Sequence, residues 1–169
     1  MSHPALAPIL KTERLTLRPQ RRSDFDLLVQ LYKTDRSRFV GGLRPVSAVW
    51  RDFMNSVGHW PISGMGGWAV DITATGQCVG EVAVCQPPEY PEIEIGWVLF
   101  DGCEGNGYAL EAASAALAWA KGTLQAVGIV SYIDPDNIRS IKLAKRLGGA
   151  LDVAAATPNE DACLVFRYL

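Results

Sequence analysis

Residues 92–122, EIEIGWVLFDGCEGNGYALEAASAALAWAKG, join two patterns of different period. Apolar and polar residues alternate over 92–100, which predicts a strand. Strong helix formers fill 107–122 and a glycine closes them, which predicts a helix. Gly105 and Gly107 precede the helix, where glycine allows unusual backbone angles and the close approach of another group. Since a helix N-terminus carries unpaired N–H groups and partial positive charge, the loop predicts either an anion site or a plain strand–helix turn.

Outside this stretch the sequence predicts a mixed α/β chain. Alternating residues predict strands over 13–19, 67–73, 77–85, 126–133 and 162–169. Helical spacing predicts helices over 23–34 and 137–149, and another that begins near Ser47; Ser23 and Ser47 are the expected caps. The successive strands before residue 100 suit an antiparallel meander. We expect a single domain over 1–169, with 1–10 as a flexible N-terminal segment.

The composition is that of an ordinary globular chain: 49% of the 169 residues are hydrophobic, 20% are charged, and the net charge is -2. This charge argues against a nucleic-acid-binding surface, which is normally basic. No apolar run approaches membrane-spanning length, and MSHPALAPIL lacks the features of a signal peptide. The four cysteines form no C-x-x-C pair and lie far from either histidine, so no metal site is predicted. Free thiols and no export signal predict a cytoplasmic protein without a membrane partner.

A second motif, NIRSIKLAKRLGG at 137–149, follows a predicted strand. Asp136 or Asn137 suits the helix cap, which is the simpler role for Asn137. Ser140 lies on the apolar face of this helix, and its alternative role is a bond to its own helix backbone. A basic stripe beside that face predicts either a solvated surface or attraction for a polyphosphate; it comprises Arg139, Lys142 and Arg146.

The glycine loop after EIEIGWVLF, its alanine-rich helix and the later pattern N-x-x-S-x-x-L-x-x-x-L-G together resemble the GNAT superfamily of acetyl-CoA-dependent N-acetyltransferases. TERLTLRP, EIGW and NGYALEAA are similar to its ribosomal-protein N-terminal acetyltransferase branch, the RimJ/RimL type. The resemblance runs from Thr12 to the last strand. It implies a GNAT fold: a central mixed, mostly antiparallel sheet of six to seven strands, about four flanking helices, and a splay between strands 92–100 and 126–133.

The same resemblance implies where coenzyme A binds. The family loop, Gln/Arg-x-x-Gly-x-Gly/Ala, holds the pyrophosphate through backbone N–H groups; its positions here are Glu104, Gly105, Asn106, Gly107, Tyr108 and Ala109. Glu104 departs from the pattern, because a carboxylate near a pyrophosphate is unfavourable unless it points away or pairs with a basic group. The remaining implied cofactor contacts are Trp97, Val98, Leu99, Asn137 and Ser140.

The implied reaction is transfer of an acetyl group from acetyl-CoA to a primary amine by direct attack, without a metal. Many relatives use a tyrosine as the acid for the departing thiolate; Ala144 stands at that position here, which leaves Ser140 to stabilise the thiolate. A carboxylate is expected to take the proton of the amine. We expect Glu94 first and Asp101 second, with Glu81 as a third candidate. Backbone N–H groups near Trp97 or Val98 are expected to polarise the thioester carbonyl.

The acceptor is expected to enter between the loop 35–46 and the connection 86–91. Arg36, Arg38 and Arg44 suit an acceptor with an anionic group, or they form an exposed basic loop. The acceptor is a protein N-terminus or a small-molecule amine, and a homodimer is an allowed assembly. Two other functions stay open: a non-catalytic acyl-CoA-binding sensor with a GNAT-like fold, and a nucleotide-binding protein that uses the same loop.

Overall fold

The computed structural model describes residues 6–126, 128–160 and 162–168. Eight strands form one sheet in the order β1-β2-β3-β4-β5-β6-β8-β7. The strands are β1 Leu10–Lys11, β2 Leu15–Arg18, β3 Gly66–Ile72, β4 Cys78–Cys85, β5 Ile93–Leu99, β6 Ile129–Ile133, β7 Ala150–Leu151 and β8 Leu164–Tyr168. The α-helices are α1 Asp24–Tyr32, α2 Val46–Ser63, α3 Tyr108–Thr123 and α4 Ile138–Arg146, and 3₁₀ turns span Asp35–Phe39 and Pro158–Glu160.

The sheet opens between β5 and β6. All other neighbouring strands pair antiparallel, which confirms the mostly antiparallel meander. β5 and β6 run parallel and pair only at Ile93 with Ile129 and at Glu94 with Val130. Beyond these two pairs, β5 continues to Leu99 with no further backbone pairing to β6. The predicted mixed, mostly antiparallel sheet and the predicted splay are therefore confirmed.

Several local predictions need correction. The sheet has eight strands rather than six to seven, because β1 and β7 have only two residues each and show no period. Ser23 occupies the cap position of α1 but makes no side-chain capping bond, and α2 begins at Val46, ahead of Ser47. Gly122, which was predicted to end the helix over 107–122, lies inside α3 rather than after it.

The N-terminal segment is packed where the structure describes it. Ala7 is buried, and the Pro8 carbonyl accepts a hydrogen bond from Trp68 Nε1 (2.8 Å). Residues 6–10 thus differ from the flexible segment expected over 1–10, whereas 1–5 lie outside the described residues. Val127 and Leu169, which belong to two of the predicted strands, also lie outside them.

Two buried clusters hold the elements around the sheet. Trp60 of α2, Trp68 of β3 and Trp119 of α3 pack edge to face, with ring centroids 4.7 to 5.4 Å apart. Arg18 of β2 is 5% exposed and binds the carboxylates of Asp24 (2.7 Å) and Asp71 (2.6 Å). This ion cluster joins β2, α1 and β3, and the two carboxylates raise the pKa of the Arg18 guanidinium although burial opposes them.

The described ranges contain no helix long and apolar enough to cross a membrane. Nor do those residues include a group of three or more His, Cys, Asp or Glu side chains placed to hold a metal ion. Cys103, beside the glycine loop, is 7% exposed, and burial together with the charge of Glu104 raises the pKa of its thiol. A buried thiol with a raised pKa is a packing group rather than a nucleophile.

Candidate active site

Two adjoining cavities occupy the opening between β5 and β6. The larger, a cleft of about 500 Å³, runs toward the start of α3, and the smaller, of about 90 Å³, lies where the two strands begin to part. The predicted residues that line the larger cleft are Trp97, Val98, Leu99, Glu104, Ala109, Asn137 and Ser140. The smaller cavity is lined by Glu94 together with Trp97, Asn137 and Ser140. Phe39 and Val40 form the opposite wall of both.

The edge of β5 presents alternate backbone groups to the cleft. The carbonyls of Ile95 and Leu99 accept side-chain hydrogen bonds from outside β4, at 2.6 and 3.0 Å. The Phe100 N–H donates to the Val79 carbonyl of β4 (2.9 Å). The residues that alternate with Ile95 and Leu99 therefore direct their backbone groups at β4. Trp97 lies two residues from both Ile95 and Leu99 and points its backbone groups to the same side, so its N–H faces the cleft. The N–H of Val98 is directed at β4. Of the two predicted carbonyl-polarising groups, only the Trp97 N–H has this direction.

The two ends of the glycine loop, Glu104 and Ala109, line the larger cleft, whereas the predicted contacts between them, Gly105, Asn106, Gly107 and Tyr108, do not. Gly105 and Gly107 have φ of +81° and +80°, a left-handed backbone that favours glycine. Gly107 is also the N-cap position of α3, so the N–H groups of Tyr108 and Ala109 belong to the first helical turn and have no intrahelical acceptor. Asn106 Nδ2 donates to the Glu104 carbonyl (3.1 Å) and steadies the loop.

A set of contacts among Thr12, Arg14 and Glu111, which we call the clamp, holds this loop and was not predicted from the sequence. Glu111 accepts hydrogen bonds from the backbone N–H (2.8 Å) and Nε (2.7 Å) of Arg14 and from Thr12 Oγ1 (2.5 Å). Arg14 Nη1 in turn donates to the Asn106 carbonyl (3.0 Å) and lies 5.1 Å from the Tyr108 ring centre. Because these partners are about a hundred residues apart in sequence, no local pattern signals the clamp.

Glu104 pairs with basic groups from two other elements. Its carboxylate forms ion pairs with Arg36 and, at 3.6 Å, with Arg139. Partial burial raises the pKa of Glu104, but hydrogen bonds from its own backbone and from Arg36 and the charges of both arginines outweigh burial, so the pKa is lowered overall. This meets the condition under which a carboxylate is tolerated beside a bound anion.

Asn137 caps α4 and thereby places Ser140. Asn137 Oδ1 accepts a hydrogen bond from Ser140 N (3.2 Å), which confirms the cap role. The cap uses the oxygen of this amide, so Nδ2 is the group that can donate to a ligand. Ala144 lies one turn further along, is completely buried and carries no acid.

Glu94 is a half-buried carboxylate at the narrow end of the opening. Burial raises its pKa to about 7, although a hydrogen bond from the Tyr132 N–H opposes the shift. Its surroundings are aromatic: Tyr90 and Tyr132 pack edge to face at 5.4 Å, and burial followed by the charge of Glu94 raises the pKa of Tyr90. A carboxylate that is partly ionised at neutral pH is suited to accept a proton there.

The two other predicted carboxylates are placed differently. The Asp101 side chain is 90% exposed and lies 3.5 Å from Arg36. Glu81 accepts a hydrogen bond from Gln20 Nε2 (2.6 Å), and burial raises its pKa to about 7 despite that bond. Neither side chain lines either cavity. The geometry therefore favours Glu94 as the proton acceptor.

The three arginines of the loop 35–46 are ion-paired. Arg36, Arg38 and Arg44 each contact a carboxylate; the partners, in that order, are Glu104, Asp136 and Asp52. Their charges are largely balanced before any ligand arrives. They consequently give little support to an anionic acceptor.

A sheet that opens beside a glycine loop and a helix N-terminus, with a carboxylate of raised pKa inside the opening, suits an extended anionic ligand next to a titrating group. The family model described as an acetyltransferase (GNAT) domain matches residues 14–150. The chain belongs to the GNAT acetyltransferase family.

Individual relatives agree with this membership. An acetyltransferase from Agrobacterium tumefaciens str. C58 is 40% identical and superposes with a TM-score of 0.92, over 96% of this chain and 95% of that one. The uncharacterised protein YkkB of Bacillus subtilis (strain 168) is 32% identical over 83 residues, so the match spans about half of the length of either protein (48% of each). RimL, a ribosomal L7/L12 alpha-N-protein acetyltransferase solved in complex with coenzyme A, is 16% identical with a TM-score of 0.71, over 95% of this chain and 96% of that one; this likeness shows the fold.

Proposed function

We propose that the protein transfers the acetyl group of acetyl-CoA to a primary amine by direct attack. The observation that carries the proposal is the position of Glu94, a carboxylate with a pKa raised to about 7 by burial, inside the opening that also holds Trp97 and Ser140. The glycine loop lies at the other end of the same opening. One channel thus joins an anion-binding rim to a proton acceptor.

Proton transfer to Glu94 is the first step. An α-amino group has a pKa of ~8 and a lysine ~10.4, so either amine is mostly protonated at neutral pH. Glu94 takes the proton, and such assistance is worth roughly 10²–10⁴-fold. The neutral nitrogen attacks the thioester carbonyl carbon, the N–C bond forms and the C–S bond breaks. As the amide forms, the nitrogen gives up its second proton, which the departing thiolate takes up to leave as a thiol. The Trp97 N–H donates to the carbonyl oxygen as it gains negative charge, and the Ser140 hydroxyl stabilises the thiolate.

The residues at the rim fit the diphosphate of coenzyme A. A Cβ at Gly105 would meet no atom within 4 Å, so the outer side of the loop is open to a ligand. The first-turn N–H groups of α3 and the helix dipole favour an anion there. Asn137 Nδ2 and the cleft-facing edge of β5 can hydrogen-bond the pantetheine arm.

The choice of acceptor rests on similarity to other proteins. The motifs similar to the RimJ/RimL branch and the shared fold of RimL support a protein N-terminus as acceptor, and a small-molecule amine is the other candidate. A homodimer and a cytoplasmic location stay predictions.

Thiol release from acetyl-CoA in the presence of amines tests the proposal. The panel contains peptides with free N-termini, single amino acids and polyamines, and coenzyme A binding is measured separately by calorimetry. We expect binding of coenzyme A and turnover with at least one amine whose product mass rises by one acetyl group. Stabilisation by ATP but not by coenzyme A would contradict the proposal and favour a nucleotide-binding protein.

The buried Ala144 also favours a second candidate, a non-catalytic acyl-CoA sensor. No hydroxyl stands where many relatives carry the acid. Tight binding of acetyl-CoA without turnover of any amine in the panel would favour the sensor.

A further inference from the structure

The side chain of Ser131 makes the contact between β5 and β6 at the point where their backbone pairing stops. The last backbone pair joins Glu94 to Val130, so Ile95 would face Ser131 at the next position. No backbone pair forms there. Instead, Ser131 Oγ donates a hydrogen bond to the Ile95 carbonyl (2.6 Å). The opening therefore begins at a contact between a side chain and a backbone group.

A second hydroxyl group fixes the direction of this bond. Tyr168 Oη lies 3.0 Å from Ser131 Oγ, and both residues are 2% exposed. Ser131 has a single hydroxyl proton, which it donates to the Ile95 carbonyl, so Tyr168 is the donor in the second bond. Burial raises the pKa of Tyr168 to about 12, so the phenol keeps its proton at neutral pH. The bonds therefore run in one direction, from Tyr168 through Ser131 to the carbonyl.

The turn that follows α4 holds the Tyr168 ring in place. A Cβ at Gly149 would lie 2.8 Å from a carbon of this ring, so a larger residue there would displace it. The Gly149 N–H donates to the Ala144 carbonyl (2.9 Å), which keeps the turn against the ring. The phenol is thus placed by packing and has little freedom to turn away from Ser131.

Two side-chain hydrogen bonds bracket Trp97 on the open edge of β5. Two residues before it, the Ile95 carbonyl accepts the bond from Ser131. Two residues after it, the Leu99 carbonyl accepts a bond from Arg36 Nη2 (3.0 Å). No residue of β6 pairs with Trp97, whose N–H faces the cleft. Because the strand is held on both sides of Trp97, the direction of this N–H is fixed as well.

We propose that Ser131, held by Tyr168, is a positioning residue that directs the Trp97 N–H at the carbonyl oxygen of the bound acetyl thioester. The inference rests on the function proposed above, in which this N–H stabilises that oxygen. Ser131 acts through the Ile95 carbonyl, at the end of the smaller cavity that both residues line. A donor aimed at a developing oxyanion is worth roughly 10²–10³-fold in kcat, and a displacement of about 1 Å can cost roughly 10²-fold.

The carbonyl stretch of bound acetyl-CoA tests the position of the N–H without turnover. Acetyl-CoA that is isotope-labelled at the thioester carbonyl is bound to the full-length protein in the absence of an amine, and infrared difference spectra isolate the C=O band. A hydrogen bond to the oxygen weakens the C=O bond and lowers the band. In Ser131→Ala the band should therefore lie at higher wavenumber than in the wild type. An unchanged band would overturn the proposal.

Ser131→Thr and Ser131→Val form a matched pair, because their side chains have nearly the same shape and only threonine has a hydroxyl group. Both variants share any cost of the added volume. The kcat of Ser131→Val should be roughly tenfold or more below that of Ser131→Thr, with its C=O band at higher wavenumber. Affinity for coenzyme A, measured by calorimetry, should be equal in the two, because coenzyme A has no acyl carbonyl. Equal kcat and equal bands in this pair would overturn the proposal.

Two more variants test the partner and the specificity of the effect. Tyr168→Phe keeps the ring and removes the phenol, so its kcat and its band should fall between those of the wild type and Ser131→Ala; wild-type values would contradict the part assigned to Tyr168. Ser63→Ala is the control, because its hydroxyl donates to the His59 carbonyl at the end of α2 (2.8 Å) and it lines neither cavity. Its kcat and band should match the wild type. A loss equal to that of Ser131→Ala would overturn the proposal.

Binding and unfolding measurements separate a failure of this inference from a failure of the proposed function. Wild-type protein that binds no acetyl-CoA contradicts both. Wild-type protein that binds acetyl-CoA without turnover contradicts the proposed function, and the band comparison still decides this inference. Turnover by the wild type with equal values in Ser131→Thr and Ser131→Val contradicts this inference alone. Urea unfolding identifies conditions in which every variant is folded; lower stability with unchanged kcat and band would show a purely structural role and overturn the proposal.

Discussion

Glu94→Gln removes the proposed proton acceptor while keeping the shape of the side chain. The amide oxygen can still accept the Tyr132 N–H, so the strand opening should be preserved. Burial raises the pKa of Glu94 to about 7, so about half of the wild-type molecules carry the ionised carboxylate at pH 7. If only that form accepts the proton, the contribution of Glu94 to kcat/KM should rise roughly tenfold between pH 6 and pH 8.

The assay follows acetyl-CoA thiol release with the best amine of the panel from pH 5.5 to 9. The ratio of wild-type to Glu94→Gln kcat/KM cancels the titration of the amine itself. This ratio should increase with pH, with a midpoint near 7, and level at roughly 10²–10⁴. Wild-type activity in the Glu94→Gln variant at pH 8 would refute the reasoning.

The free energy of unfolding supplies an independent measurement: the contribution of Glu94 to it should fall as the pH rises, whereas its contribution to activity should increase. A carboxyl group whose pKa is raised by folding stabilises the folded state fully below its ordinary pKa, and this contribution is lost as the pH rises through the folded value. A change from 4.5 to about 7 corresponds to at most about 3 kcal/mol. Between pH 4 and pH 8, urea unfolding should therefore show the wild type losing stability relative to Glu94→Gln, by up to this amount.

Glu81→Gln is the matched control. Burial raises the pKa of Glu81 to about 7 as well, but this side chain lines neither cavity. Relative to Glu81→Gln, the wild type should likewise lose stability between pH 4 and pH 8. The pH dependence of kcat/KM should be the same in Glu81→Gln as in the wild type. Equal losses of activity in both variants would show that the sheet, rather than proton transfer, had been disturbed.

Four further variants test other parts of the molecule. Gly105→Leu and Gly76→Leu both place a side chain on a left-handed backbone, at φ of +81° and +72°, and each should cost about 1–2 kcal/mol or more in urea unfolding. Only Gly105→Leu should weaken coenzyme A binding, and equal affinities would contradict the loop assignment. Ser140→Ala should lower kcat by roughly 10²-fold with little change in KM for acetyl-CoA; unchanged kcat would exclude the hydroxyl from the reaction. Arg18→Met leaves two buried carboxylates without a cation and should lower the free energy of unfolding by about 3–5 kcal/mol, whereas a change below 1 kcal/mol would show that water reaches them.

Local patterns located much of the candidate site. The change of hydrophobic period around Gly105 and Gly107 predicted a loop between a strand and a helix. Both glycines have the left-handed backbone that glycine favours. Asn137 was predicted as a cap from its place before an amphipathic helix, and it accepts the expected hydrogen bond from Ser140 N. These features depend on residues within a few positions of one another, so the sequence carries them directly.

The groups that sequence reasoning missed are joined over long separations. Arg36 and Leu99 are 63 residues apart, and Arg14 and Glu111 are 97 apart. No periodicity links such pairs, and an alignment of related chains would be needed to find them from sequence. The departure at Glu104 was visible, but its ion pairs were not.

By itself, the sequence determined the six longer strands, the four α-helices, their order and the position of the glycine loop, because hydrophobic period and glycine geometry are local properties. The tertiary structure alone decided which carboxylate lies in the opening. Glu94 and Glu81 both stand on strands and both are half-buried, with pKa values raised to about 7. Only the parting of β5 from β6 places Glu94 beside a cleft, and that parting is set by packing between strands more than thirty residues apart.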